Sequence, residues 1–152
     1  EMNFLIKTPK SKIDFESYYY LRWNILRKPY GEKLGSEKDS KELDSYHIMA
    51  CSLDSTVIGV GRIHKDCNKK AQIRYMAVKE EFRRIKVGKL MLKELENYAF
   101  NMSLESIYLN SRESAVEFYI KNGYKIIEKS HLLFGNLQHW LMEKNIKKYL
   151  YE

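Results

Sequence analysis

Four cationic side chains, Arg83, Arg84, Lys86 and Lys89, crowd one short stretch, Arg83-Arg-Ile-Lys-Val-Gly-Lys89. Before it, Ile73, Tyr75 and Ala77 alternate with Arg74, Met76 and Val78, which is strand patterning, and the charged run Lys79-Glu80-Glu81 closes it. After it, Val87, Leu90, Met91, Leu95, Tyr98, Ala99 and Met102 recur at helical spacing. The spacing therefore predicts strand, short basic loop, helix. A helix start presents unpaired backbone N–H groups and partial positive charge, so basic residues gathered there are unfavourable unless an anion joins them. The chemistry this suits is capture of a phosphate-bearing ligand. A solvated basic face is the competing reading, and these residues alone leave both open.

The elements around that loop carry the resemblance. Arg83 to Gly88 resembles the acetyl-CoA-binding motif of the GCN5-related N-acetyltransferase (GNAT) superfamily, Arg/Gln-x-x-Gly-x-Gly/Ala, with Arg83 in the first place and Gly88 in the last. Lys86 stands where the family usually has its first glycine, a residue that permits positive φ and close approach of the backbone to a pyrophosphate. A lysine there must either keep ordinary φ and point outward or add its charge to the phosphate contact. A second motif, x-Ala-x-x-Phe-Tyr-x-x-x-Gly-Phe/Tyr, is matched in register by Ala115, Phe118, Tyr119, Gly123 and Tyr124, with Asn110 and Arg112 just upstream. A third stretch, Leu21-Arg-Trp-Asn-Ile-Leu-Arg-Lys-Pro-Tyr-Gly31, resembles a signature of one subgroup of small bacterial N-acetyltransferases.

The resemblance implies an acyl-CoA N-acyltransferase fold that moves an acetyl group from acetyl-CoA to a primary amine. It assigns Met76, Ala77, Val78, Arg83, Arg84, Ile85, Lys86, Val87, Gly88, Lys89, Asn110, Ala115, Phe118 and Tyr119 to the cofactor. The strand at Met76–Val78 is expected to bulge, freeing backbone groups for the acyl-pantetheine. Arg22, Trp23, Arg27 and Tyr30 fall on the acceptor side, although the apolar members of that helix also read as core. Tyr119 would protonate the departing thiolate, a task that a phenol of pKa near 10 can perform. For a base that deprotonates the amine, His47, His64, His131 and His139 are the candidates. His139 is favoured because Gln138-His-Trp-Leu-Met-Glu-Lys144 resembles the subgroup's Pro-His-x-x-Met-x-Lys ending, with Gln138 in place of proline. Deprotonation through ordered water would need no histidine.

Composition narrows the classes. The chain of 152 residues is read as one domain, and no apolar run is long enough for a membrane span. Its N-terminus lacks the apolar stretch of a signal peptide, and Cys51 and Cys67 have no metal spacing. The expectation is a cytoplasmic protein with free thiols and no metal. The net charge of +7 comes from lysines scattered along the chain, without a nucleic-acid motif, so nucleic acid is not expected as a partner. A homodimer is compatible with the sequence. The rival function is a non-catalytic acyl-CoA-binding sensor or scaffold, kept alive by Lys86.

In chain order, the patterns predict a strand at 4–6, a helix over 13–27 with Ser11 as cap, and a mobile charged loop from Glu32 to Ser45. Strands follow at 47–53 and 56–64, joined by the Asp54-Ser55 turn, and then comes the strand–loop–helix unit already described. A strand at 106–110, a helix capped by residues 111–114 and ended at Gly123, and strands at 124–127 and 140–142 complete the order. Gly59 and Gly61 inside a strand suggest a bulge or a close approach. The fold class is α/β, a mixed, mostly antiparallel sheet of about seven strands flanked by helices.

Overall fold

The computed structural model describes residues 3–147. A seven-stranded sheet runs in the order β1-β2-β3-β4-β5-β7-β6, made of β1 (Phe4–Lys7), β2 (Ser45–Ser52), β3 (Val57–Lys65), β4 (Lys70–Val78), β5 (Ser106–Arg112), β6 (Lys125–Leu133) and β7 (Leu137–Asn145). Three α-helices accompany it: α1 (Lys12–Leu26), α2 (Val87–Asn101) and α3 (Val116–Lys121). The strand–helix order and the mixed sheet are those expected. By internal contacts the chain forms two compact units, one reaching to His64 and adding Tyr75–Leu95, the other made of Lys65–Arg74 with the chain from Glu96 onward.

In the first unit, β1 and β2 pair antiparallel, as do β2 and β3. Ser11 caps α1: its hydroxyl accepts from the Asp14 N–H at 3.0 Å, and Asp14 reaches back to the Ser11 N–H at 3.4 Å. The helix buries Tyr18 and Leu21 against Met49, Cys51, Val60 and Ala77. Val87, Met91 and Leu95 repeat every fourth residue and are fully buried, which draws α2 onto the sheet. The two strand glycines explain how closely: a Cβ at Gly59 would lie 2.7 Å from Met91 Sδ, and one at Gly61 would lie 2.8 Å from Met76 Sδ. Close approach is therefore what these glycines permit, while the ladder irregularity falls across from them, between Ala50 and Cys51.

In the second unit, Lys70–Gln72 pairs parallel with Ser106–Tyr108, and β5 and β6 both pair antiparallel with β7. Its buried residues include Ile107, Leu109, Tyr124 and Met142. Gly123 ends α3 with φ +95°, the left-handed conformation expected of it.

Three expectations need correction. Residues 32–45 are not a mobile loop: Glu37, Asp39 and Glu42 turn inward to bond buried groups, and Glu42–Asp44 forms a 3₁₀ turn. The charges that read as solvated are satisfying buried arginines instead. Residues 111–112 are the end of β5, and α3 follows a 3₁₀ turn at Glu113–Ala115 without a side-chain cap, because the Ser111 hydroxyl donates to the Arg112 carbonyl at 2.8 Å. The last two strands are also longer than their apolar cores suggest, each nine residues, since β6 is polar or exposed along most of its length.

Candidate active site

The basic loop forms as a stretch of turns between a 3₁₀ turn at Glu80–Phe82 and the first residue of α2. Arg83 Nε donates to the Val78 carbonyl at 2.8 Å, tying the loop to the end of β4. Arg83, Arg84, Lys86 and Lys89 are all exposed, and among the described residues none of them makes an ion pair with a carboxylate. Lys86 has φ +69°. It thus does not keep ordinary φ: it takes the positive φ that a glycine at this place would permit and remains exposed, at a strain cost of about 1 kcal/mol. Val87 is buried under the loop and anchors the helix start. A loop of glycine-like geometry, with unpaired cations at a helix N-terminus, fits the phosphates of a nucleotide cofactor.

Just before the loop, β4 departs from regular geometry. Tyr75 has φ +58°, placing the distortion one residue ahead of Met76–Val78. A bulky residue holds this conformation only if its surroundings compel it. Three guanidinium groups lie over the Tyr75 ring, with Cζ atoms of Arg22, Arg62 and Arg27 at 4.2, 5.1 and 5.8 Å from its centroid. Arg22 and Arg62 are fully buried.

Their charges are neutralised locally. One Glu42 oxygen accepts from Arg22 Nη1 at 2.9 Å and from Arg62 Nη1 at 2.8 Å, while Asp39 receives both Arg62 nitrogens at 2.6 and 3.1 Å. Arg22 also donates to the Glu37 carbonyl at 3.0 Å and to the Tyr18 hydroxyl at 2.9 Å. His47 Nε2–H donates to the Glu42 carbonyl at 2.7 Å, and its Nδ1 lies 2.7 Å from the Tyr18 hydroxyl, which also reaches the Gly61 carbonyl at 3.1 Å. That pattern is satisfied by neutral imidazole. Burial holds the His47 pKa below its ordinary value of 6.5, with the Arg22 and Arg62 charges acting the same way. Burial likewise raises the Tyr18 phenol, and burial together with the Glu42 carboxylate pushes Tyr19 up to about 12.

The acceptor-side residues divide. Arg22 belongs to this interior network. Trp23 Nε1–H donates to the Glu32 carbonyl at 2.9 Å, so the indole fixes the chain after α1. Arg27 is half-buried, and Tyr30 is exposed in the 3₁₀ turn Lys28–Tyr30. An open groove of about 790 Å³ is lined by α1 residues such as Tyr19 and Tyr20, by Leu34, Gly35, Glu37 and Lys38, by the β2–β3 turn and by Lys79.

In the second unit, Tyr119 is 7% exposed, and its hydroxyl makes no hydrogen bond among the described residues. Its ring sits between Phe118 and Tyr124, centroids 5.1 and 5.6 Å away, and burial raises its pKa well above the usual phenol value. It is therefore a protonated donor at every physiological pH. Asn110, on β5, accepts from the Ser130 hydroxyl at 2.7 Å, and Ala115 ends the turn before α3. His139 is 6% exposed, and its Nδ1–H donates to the Leu137 carbonyl at 3.0 Å. The ring of His131 stacks on it at 4.5 Å. His64 is buried beside Arg62, Nδ1 to Nη2 3.2 Å. Among the described residues no cluster of His, Cys, Asp or Glu has the makings of a metal site. No helix there is long and apolar enough to cross a membrane.

Sequence reasoning missed Arg62, Asp39, Glu42 and Glu37. One signal was available for Arg62, an arginine two positions after buried Val60 on the same face of an otherwise uncharged strand stretch. The acids gave none, since a charged loop reads the same whether it faces water or buried arginines.

Comparison with known proteins agrees with this architecture. Over 137 residues the chain is 28% identical to the uncharacterized N-acetyltransferase YjcF of Bacillus subtilis (strain 168), covering 90% of this chain and 96% of that protein. The fold superposes on an acetyltransferase of the GNAT family from Staphylococcus aureus Mu50 with TM-score 0.78 and 18% identity, over 95% of this chain and 99% of the other. An aminoglycoside 6'-N-acetyltransferase complexed with coenzyme A gives TM-score 0.79 at 16% identity, over 93% and 97% of the two chains. The PaiA N-acetyltransferase of Thermoplasma acidophilum, also in complex with coenzyme A, gives 0.68 at 22% identity, over 95% and 99%. The model of the Acetyltransferase (GNAT) family matches residues 14–124, and the chain belongs to that family.

Proposed function

We propose that this protein is an acetyl-CoA-dependent N-acetyltransferase acting on a primary amine by direct attack in a ternary complex. The observation that carries this reading is Lys86: with φ +69° it keeps the glycine-like loop geometry while adding a cation to a helix start that already has three. The substitution that raised a non-catalytic sensor as a rival is thus compatible with phosphate binding.

Acetyl-CoA supplies an activated acyl thioester when bound. Arg83, Arg84, Lys86 and Lys89, with the N–H groups at the start of α2, neutralise its phosphates. Backbone groups of Met76–Val78, released by the distortion at Tyr75, hold the acyl arm, and Asn110, Ala115 and Phe118 line it. Tyr119 presents a phenolic proton to the thiolate sulfur. Its hydroxyl makes no hydrogen bond among the described residues, so its proton is available to a ligand. His139, through Nε2, takes the proton of the incoming ammonium. Cys51 does not carry the acyl group: it is buried, burial raises its pKa, and no base pairs with it.

The acceptor is an amine in the neighbours whose names state one, which include an aminoglycoside acetyltransferase and a spermidine acetyltransferase chimera. The test is to incubate the protein with acetyl-CoA and a panel of primary amines, following free thiol and the intact mass of the protein. Thiol release that depends on amine, without an acetylated protein intermediate, is the expected result. Release without amine, or a covalent acetyl on the protein, would overturn direct transfer. CoA binding without any release would favour the sensor.

A further inference from the structure

The groove beside α1 contains a buried carboxylate with no cation. Of its charged lining residues, Glu16 and Lys38 are exposed and Lys79 is half-buried, whereas Glu37 is only 3% exposed. One Glu37 carboxylate oxygen accepts the Gly35 N–H at 2.7 Å; the other makes no hydrogen bond. The residue's main-chain carbonyl takes Arg22, but that guanidinium pairs its charge with Glu42 rather than with Glu37. Lys38, the nearest lysine in sequence, lays its ammonium over the Tyr19 ring, 4.4 Å from the centroid. A carboxylate on a residue this little exposed, with one oxygen unbonded and no ion pair among the described residues, can take a ligand ammonium as its counter-charge.

We propose that Glu37 anchors a second, non-reacting ammonium of the acceptor, which makes aliphatic di- and polyamines the preferred substrate class. This deepens the transferase reading and rests on it for the identity of the ligand as acceptor. The anchored ammonium is not the reacting one, because a carboxylate partner favours the protonated form, which cannot attack. The groove's walls suit the rest of such a molecule: Tyr19, Leu21 and Val57 offer apolar and aromatic surface to a methylene spacer, and the Tyr20 ring adds a face for a cation. The groove also reaches Lys79, the residue that leads from β4 toward the phosphate loop, so an acceptor lying in it extends toward the end of β4.

The test compares diaminohexane with hexylamine, which has the same spacer and one ammonium, on wild type and Glu37→Gln. The amide keeps the shape and can still accept the Gly35 N–H, and a thermal melt checks that the variant is folded. Titration calorimetry in the presence of CoA is expected to show the diamine binding about ten- to hundredfold more weakly to Glu37→Gln, with hexylamine unchanged. In turnover, the KM for the diamine rises by a similar factor while kcat stays within twofold. An equal diamine-to-hexylamine ratio in the two proteins, or no diamine binding to wild type, overturns the proposal. If no amine releases thiol, the transferase reading fails, and the calorimetric contrast still decides whether Glu37 holds a diamine.

Discussion

Arg83 and Arg84 stand exposed at the entrance to α2 with no carboxylate partner, whereas Arg22 and Arg62 are fully buried and share Glu42 and Asp39. The residue type is the same and the surroundings are opposite. In the interior every guanidinium charge is answered by the chain itself, because an unanswered one would cost several kcal/mol. At the loop the chain supplies no counter-charge among the described residues, and in the function proposed above a phosphate supplies it. The buried set serves geometry: it packs on Tyr75, which holds a left-handed conformation in β4 just ahead of the loop.

The sharpest way to break the comparison is to remove the shared carboxylate. Glu42→Ala leaves two buried guanidinium groups short of a partner, and urea unfolding is expected to show a loss of about 3–5 kcal/mol. Arg84→Ala, by contrast, should change stability by less than about 0.5 kcal/mol. If both variants lose the same amount, the division between structural and ligand-facing arginines is wrong.

The next largest effect reverses the roles. Neutralising Arg83 and Arg84 together is expected to weaken CoA binding by about tenfold or more, with a smaller salt dependence than in wild type. Calorimetric titrations at low and high salt measure both quantities. Unchanged affinity would mean that the loop cations are a solvated face after all.

Much of the fold was legible because it follows from local signals: Ser11 at the α1 start, the every-fourth-residue stripe of α2, Gly123 at the end of α3. The basic loop and the helix that follows it were legible for a similar reason, since the cations and the helix start are consecutive in sequence. The arginine clamp was not. It joins α1, the 37–42 segment, β3 and β4, and nothing local distinguishes Glu42 from Glu32 before the chain folds. Lys86 defeated sequence reasoning differently. Positive φ is uncommon at a lysine, and the first of its two alternatives, ordinary φ with the side chain outward, assumed a backbone the loop does not have.

Two smaller effects sharpen the account. His47 lies among Tyr18, the Glu42 carbonyl, Phe15, Tyr19 and the Arg22 and Arg62 charges, and its burial disfavours the protonated form. Its folded pKa is lower than its unfolded value of 6.5, so below that pH the unfolded chain binds a proton that the folded one refuses. Stability should therefore fall as pH drops from 6.5 toward the folded pKa, and His47→Gln should flatten that slope in unfolding curves taken across the range. Lys86→Gly relieves the left-handed strain and is expected to gain about 0.5–1 kcal/mol in urea while losing part of the affinity for CoA. A loss of stability there would show that Lys86 makes a contact the strain argument overlooks.

The most direct measurement is titration of acetyl-CoA into the wild-type protein, with pantetheine, which lacks the nucleotide and the phosphates, as the comparison ligand. The account predicts saturable binding of acetyl-CoA, at least tenfold tighter than pantetheine and weakened by salt. Absence of acetyl-CoA binding, or equal binding of the two ligands, would contradict it, because the unpaired cations at the start of α2 would then hold no phosphate.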